Sequence, residues 1–291
     1  MSEDKLLSKM KLAILIMAHR LPKQLALLCK ILQHEHIDIY IHIDKKVDAS
    51  IFKQAVNNDK INFIKNRTST TWGGFSIVKT IISSYTEIMK NSKYDYICNI
   101  SGQDLPIKHT DSLIHFLIQN KGKEFIENIP YSTLHPWWKE NKIRVEKYSF
   151  INLNIKGKYT LEKIANFLLP KRTPPNSYIF SGNSGWFCLS SNAVMHILMS
   201  YKTDKKTVNY FKYVWGADEI YFSTVLYNSK FKDKMIGNLL FTIWDPNEKL
   251  HPTVLTLKHK YQLDQSDKFF ARKFDYNQDS SIIENYLTAL T

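Results

Sequence analysis

The chain has 291 residues, 44% of them hydrophobic, which is enough to bury a sizeable core and excludes a disordered chain. Forty Lys and Arg against 27 Asp and Glu leave a formal charge of +13, so phosphate-bearing ligands, polyanions and anionic membrane surfaces are the partners to weigh first. Only nine glycines are present and none forms GxGxxG or GxxxxGK(S/T), which excludes the usual glycine-cradled sites for dinucleotides and nucleoside triphosphates.

Residues up to Lys11 form a polar N-terminal extension, and residues 11–17, rich in Ile and Leu without helical spacing, read as a strand. His19, Arg20 and Pro22 break the run before Leu25, Leu28, Ile31 and Leu32 resume at helical intervals. Residues 37–43 alternate and are β-branched, giving a second strand that delivers Asp44 to its carboxyl end; residues 62–64 make a short third strand. Behind the Gly73-Gly74 turn, Ile77, Ile81, Tyr85 and Ile88 share one helical face over 76–90, with Ser76 available as N-cap. Residues 94–100 are again strand-like and close on the sharp loop from Ser101 to Pro106.

This alternation argues for an α/β fold, an open sheet flanked by helices, with a ligand crevice at the strand carboxyl ends where His19, Asp44 and Asp104 gather. Residues 131–177 mix tryptophans, charges and turns and read as irregular excursions. Then come a helix over 192–200, another over 218–227 and a strand over 239–244, while 274–291 is uninformative. No internal repeat appears, and a single catalytic domain over 1–291 is expected. Cys29, Cys98 and Cys188 are odd in number and lie in apolar stretches, so they read as buried free thiols in a reducing compartment. The apolar run Leu12–Ala18 is far short of the roughly 20 residues that span a bilayer, so no secretion signal or anchor is expected.

Asp218-Glu219 opens the apolar helix after Trp215-Gly216-Ala217, and it has two readings. Carboxylates in a first helical turn are favoured by the macrodipole, and a carboxylate among aromatic and small residues is also suited to act as a general base on a sugar hydroxyl. Arg272-Lys273 sits among Phe269, Phe270 and Phe274, either as a snorkelling surface pair or as cations whose desolvation calls for an anion such as a diphosphate. Trp72-Gly73-Gly74 and the stretch from Ser181 to Trp186 are either tight turns with core tryptophans or loops offering backbone and a flat ring to a sugar nucleotide. No Asp-x-Asp occurs, and His34-Glu35-His36 reads as a solvated connection instead of a metal site.

In chain order, Met17-Ala18-His19-Arg20, Ile41-His42-Ile43-Asp44-Lys45, Thr71-Trp72-Gly73-Gly74, the run from Asn99 to Lys108, Phe180-Ser181-Gly182, Asp218-Glu219 and Phe270-Ala271-Arg272-Lys273-Phe274-Asp275 form one pattern. It closely resembles the core-2/I-branching β-1,6-N-acetylglucosaminyltransferases, a family that also holds the peptide O-xylosyltransferases. The resemblance implies a GT-A-like fold, a UDP-sugar donor, inversion at the anomeric carbon and no required cofactor or metal. By position it makes Glu219 the catalytic base and Arg272 and Lys273 the diphosphate clamp. Ala18, His19, Asp44, Trp72 and Gly73 become contacts to the sugar nucleotide, Asp104 an ordering residue, and Glu127 an acceptor contact. Trp137, Trp138, Arg144, Trp186 and Asp218 complete the candidate acceptor surface.

The resemblance further implies UDP-GlcNAc or UDP-xylose as donor and a glycan or lipid-linked oligosaccharide as acceptor. The animal members carry a membrane anchor and disulfides, which this sequence does not show, so the expectation here is a cytoplasmic enzyme in peripheral contact with the inner face of the membrane, drawn there by the net charge. Basic residues are spread along the chain without a helix-turn-helix, zinc or RNA-recognition signature, so no nucleic-acid partner is expected.

Overall fold

A computed structural model describes residues 10–132, 134–245 and 251–291. The chain divides into two compact units, one holding the stretch through Arg67, Ile88–Gly122 and Leu239–Thr291, the other Thr68–Glu87 and Lys123–Asn238. The sequence suggests one domain because the chain passes between units four times, so no single linker marks a boundary.

In the first unit β1 (Leu12–Ala18), β2 (Ile37–Ile43), β3 (Asn62–Phe63) and β4 (Tyr96–Ser101) run parallel in the order β3-β2-β1-β4. Because β1 has a strand on each side and is covered on both faces, it is a continuous apolar run instead of an alternating one. The register sets Ala18 beside Ile43 and Met17 beside Ser101, so the loops after β1, β2 and β4 leave the sheet at one edge. Helix Pro22–Ile31 starts with proline at its first position, where the missing N–H costs nothing, and packs on Ala49–Val56, whose Asp48 cap accepts from Ser50 N–H at 2.9 Å. Then β5 (Asp104–Pro106) pairs antiparallel with Phe270–Arg272, which runs parallel to Leu240–Thr242. This small mixed sheet sets Arg272 opposite Asp104. The α/β architecture read from the sequence is the one observed.

Four local readings change. Residues 1–9 of the polar extension lie outside the described residues, but Met10 is buried and the Lys11 ammonium meets Asp38 at 3.1 Å, so both belong to the folded unit. Ser76 is the first helical residue, not the cap: its hydroxyl accepts from Thr71 N–H at 2.8 Å and pins the preceding turn. Residues 218–227 are not one helix, because a short 3-10 turn, Ala217–Glu219, is separated from helix Tyr221–Tyr227 by Ile220 at φ −121°. The tail contains helix Ser280–Leu290, capped by Asp279 and packed on Pro22–Ile31.

The second unit is built on an aromatic core. Tyr221 meets Phe75 and Phe211 edge-on at 6.0 and 5.2 Å, beneath helices Ser191–Thr203 and Lys205–Phe211. The stretch expected to be irregular contains helices Pro136–Asn141, Ile143–Glu146 and Lys158–Leu168. All three cysteines are buried outside any disulfide, and burial pushes the Cys29 thiol up to about 12. Among the described residues no helix is long and apolar enough to cross a membrane.

Candidate active site

The first unit gathers one cluster at the strand edge. Asp104 is fully buried, yet every oxygen is answered: Ser101 donates its backbone N–H at 2.8 Å and its hydroxyl at 2.7 Å, and Arg272 donates at 2.6 Å. A buried carboxylate with three donors of this kind fixes the planar guanidinium in place. The strand pairing above is what brings these residues together across 168 positions of sequence. Phe274 continues the cage, its N–H on the Gln103 carbonyl at 2.8 Å, and Gln24, buried inside a leucine-rich helix, donates to the carbonyls of Gly102 and Phe274.

His19 and Arg20 leave the end of β1 beside this cage. Arg20 reaches the buried Asp275 carboxylate at 2.9 Å. Partial burial, then Arg20, Lys273 and Arg272, hold the His19 imidazole below its usual pKa, against the opposing pull of Asp44. Three cations thus act on His19 against Asp44, two of them paired, Arg20 with Asp275 and Arg272 with Asp104. The Asp44 loop is braced by Arg67, which donates to the carbonyls of Ile43 and Asp44 at 3.0 and 2.8 Å, while Asp44 N–H donates to Ala18 at 2.9 Å.

The second unit carries the other cluster. Glu219 closes the short turn after Gly216, and Arg144 Nη1 donates to its Oε2 at 2.5 Å. The same guanidinium stands 4.3 Å over the Trp215 ring and 5.8 Å from that of Trp137. Loss of water pushes the Glu219 pKa up, and the Arg144 charge and hydrogen bond pull against that rise. Gly73 at φ +71° lets its carbonyl accept from Gly216 N–H at 2.7 Å, and a Cβ there would stand 2.7 Å from the Trp215 indole nitrogen. Gly216, at φ +65°, is closed to a side chain by Arg144 at 2.9 Å. Trp72, 53% exposed, meets Trp215 edge-on at 5.1 Å.

Ala18, His19, Asp44, Arg272 and Lys273 thus fall in the first unit. Trp72 and Gly73, grouped with them on the sequence, lie in the second unit against Trp215, and Arg144, Trp137 and Glu219 belong to the same unit. Asp218 backs the Gly185-Trp186 loop, where a Cβ on Gly185 would stand 2.7 Å from its Oδ2. Glu127 is half-buried and accepts from Asn238 N–H at 3.3 Å. Trp138 is corrected: it is fully buried and donates its indole N–H to the Ile129 carbonyl at 3.0 Å, so its ring packs the core and cannot face an acceptor.

Sequence reasoning missed Gln24, Arg67 and Asp275 as braces, and Trp215 as the platform for Arg144. Gln24 alone left a signal, as a polar residue on the apolar face of a helix. Among the described residues no group of three or more His, Cys, Asp and Glu side chains is placed to hold a metal ion.

The pattern describing the Core-2/I-branching enzyme matches residues 12–268. The chain belongs to the Core-2/I-branching enzyme family. It is 25% identical to xylosyltransferase 1 of Rattus norvegicus over 300 residues, covering 94% of this chain and 34% of that protein. With xylosyltransferase 2 of Homo sapiens the identity is 24% over 302 residues, covering 94% and 33%. The chain thus spans about a third of the length of the curated relatives it matches. Among solved structures it aligns with the galactosyltransferase LgtC in complex with donor and acceptor sugar analogues, at 8% identity and a TM-score of 0.49, covering 97% of this chain and 96% of that one. Both clusters lie on motifs that the family pattern spans or adjoins.

Proposed function

We propose that this enzyme transfers N-acetylglucosamine from UDP-GlcNAc to a hydroxyl of a glycan or lipid-linked oligosaccharide, with inversion, in a β-1,6 linkage and without a divalent metal. The acceptor oxygen attacks the anomeric carbon as its proton passes to the Glu219 carboxylate. The bond from that carbon to the diphosphate oxygen breaks, and its electron pair leaves with UDP. The observation that carries this reading is Glu219, a carboxylate whose pKa is raised by loss of water, against the pull of the Arg144 cation that also orients it.

Arg272, fixed by Asp104, and Lys273 supply positive charge to the departing diphosphate, the work a metal ion does in other sugar-nucleotide enzymes. Ala18, His19 and Asp44 line the nucleoside side. The Trp72 ring offers a flat apolar face to a sugar.

A second donor, UDP-xylose, is favoured by one observation: the relatives named above are xylosyltransferases. Slow donor hydrolysis, measured as UDP released from a panel of UDP-sugars with no acceptor present, tests the reading. UDP-GlcNAc should be turned over fastest. Preference for UDP-xylose would replace the donor while leaving the chemistry, and no UDP from any sugar nucleotide would overturn both.

A further inference from the structure

Helix Lys158–Leu168 in the second unit is amphipathic with its faces reversed. Its inward side is polar and bonded: Glu162 accepts from Phe150 N–H at 2.6 Å, and Asn166 both accepts from and donates to the Tyr148 backbone at 2.8 Å. Its outward side is apolar. Leu161, Ile164, Phe167 and Leu168, at helical spacing, are 46%, 49%, 87% and 70% exposed, and no residue of the helix is buried. A helix that only completed a core would turn Leu161, Ile164 and Leu168 inward, because each apolar side chain left in water forgoes roughly 1.5 to 3 kcal/mol.

The charge along this stretch of chain is predominantly basic. From 155 to 172 there are five basic residues, Lys156, Lys158, Lys163, Lys171 and Arg172, against the single acid Glu162. Lys156 and Lys163 are exposed, Lys171 is exposed and pairs with Glu146 at 3.1 Å, and Arg172 is turned inward over the Tyr210 ring at 3.8 Å. Apolar side chains rimmed by lysines on a rigidly held helix match the interface of an anionic bilayer, where acyl chains take the former and headgroup phosphates the latter. A second copy of the chain fits less well, because a symmetric contact would set the two lysine rims against each other.

We propose that Lys158–Leu168 is the docking element by which the enzyme lies on an anionic phospholipid surface. None of the exposed apolar residues of this face takes part in the proposed donor chemistry, so the inference stands apart from it.

Flotation of the full chain with vesicles tests it. Wild type should float with vesicles of equal parts phosphatidylglycerol and phosphatidylcholine, not with phosphatidylcholine alone, and raised salt should weaken binding. The double variant Phe167→Glu, Leu168→Glu should lower the bound-to-free ratio at least about tenfold. Its thermal midpoint and donor hydrolysis should stay unchanged, since both side chains are exposed and neither is assigned a part in the donor chemistry. Failure of wild type to float, equal binding to phosphatidylcholine alone, undiminished binding by the variant, or a wild-type dimer that the variant dissociates would each overturn the proposal.

Discussion

Arg144 donates to the Glu219 carboxylate at 2.5 Å. Burial raises the Glu219 pKa and this cation opposes the rise, so the balance between the two sets the pH at which the base becomes available. A general base must be ionised to work, and activity falls as pH drops through its pKa.

Arg144→Met removes the opposing charge and its hydrogen bond and leaves burial to act alone. The acid limb of the kcat/KM profile should move to higher pH, and kcat at neutral pH should fall about 10²-fold, the scale of general-base catalysis. Arg144→Lys keeps the charge and should restore part of the limb's position. A lower rate with an unmoved acid limb would contradict a role through Glu219.

Asp104→Ala should destabilise the first unit by about 3 to 5 kcal/mol, because it removes the buried carboxylate to which Ser101 and Arg272, itself only 19% exposed, both donate. Urea denaturation reads this as a lower midpoint with an unchanged slope. A loss below about 1 kcal/mol would mean that Arg272 finds water or another acceptor and that Asp104 does not anchor it.

His19 is held below its usual pKa by partial burial and by Arg20, Lys273 and Arg272. A diphosphate bound there offsets these cations and favours the imidazolium, so UDP should raise the His19 pKa. Titration of the His19 ring by NMR with and without saturating UDP checks the sign, the resonance being assigned by its loss in His19→Gln. Saturation with no rise would place the diphosphate elsewhere.

Metal removal has a plain expectation. On the proposal that Arg272 and Lys273 carry the leaving-group charge, turnover in excess EDTA should match that in buffer. Loss of activity that Mn²⁺ restores would contradict the metal-free proposal.

How much was legible in the sequence follows from how local the determinants are. The runs of β1 and β2 were readable because parallel strands covered on both faces must be continuously apolar, and Asp104 and Arg272 were readable as members of motifs. The bonds between them were not: Arg272 reaches Asp104 across 168 residues, and Arg144 reaches Glu219 across 75. Nothing local to Trp138, on a short helix with Trp137, distinguishes the ring that fills the core from its half-buried neighbour. Lys158–Leu168 escaped for another reason: its stripe of apolar residues points away from the protein, so the usual inference from periodicity to core fails there.

The central claim is that Glu219 is the base of a sugar-transfer reaction. Glu219→Gln, nearly isosteric and still able to bond Arg144, should be assayed for transfer with saturating UDP-sugar and acceptor, alongside UDP binding and the thermal midpoint. The account predicts a fall in kcat of about 10²- to 10⁴-fold with UDP affinity and stability preserved. Turnover within about tenfold of wild type would contradict it.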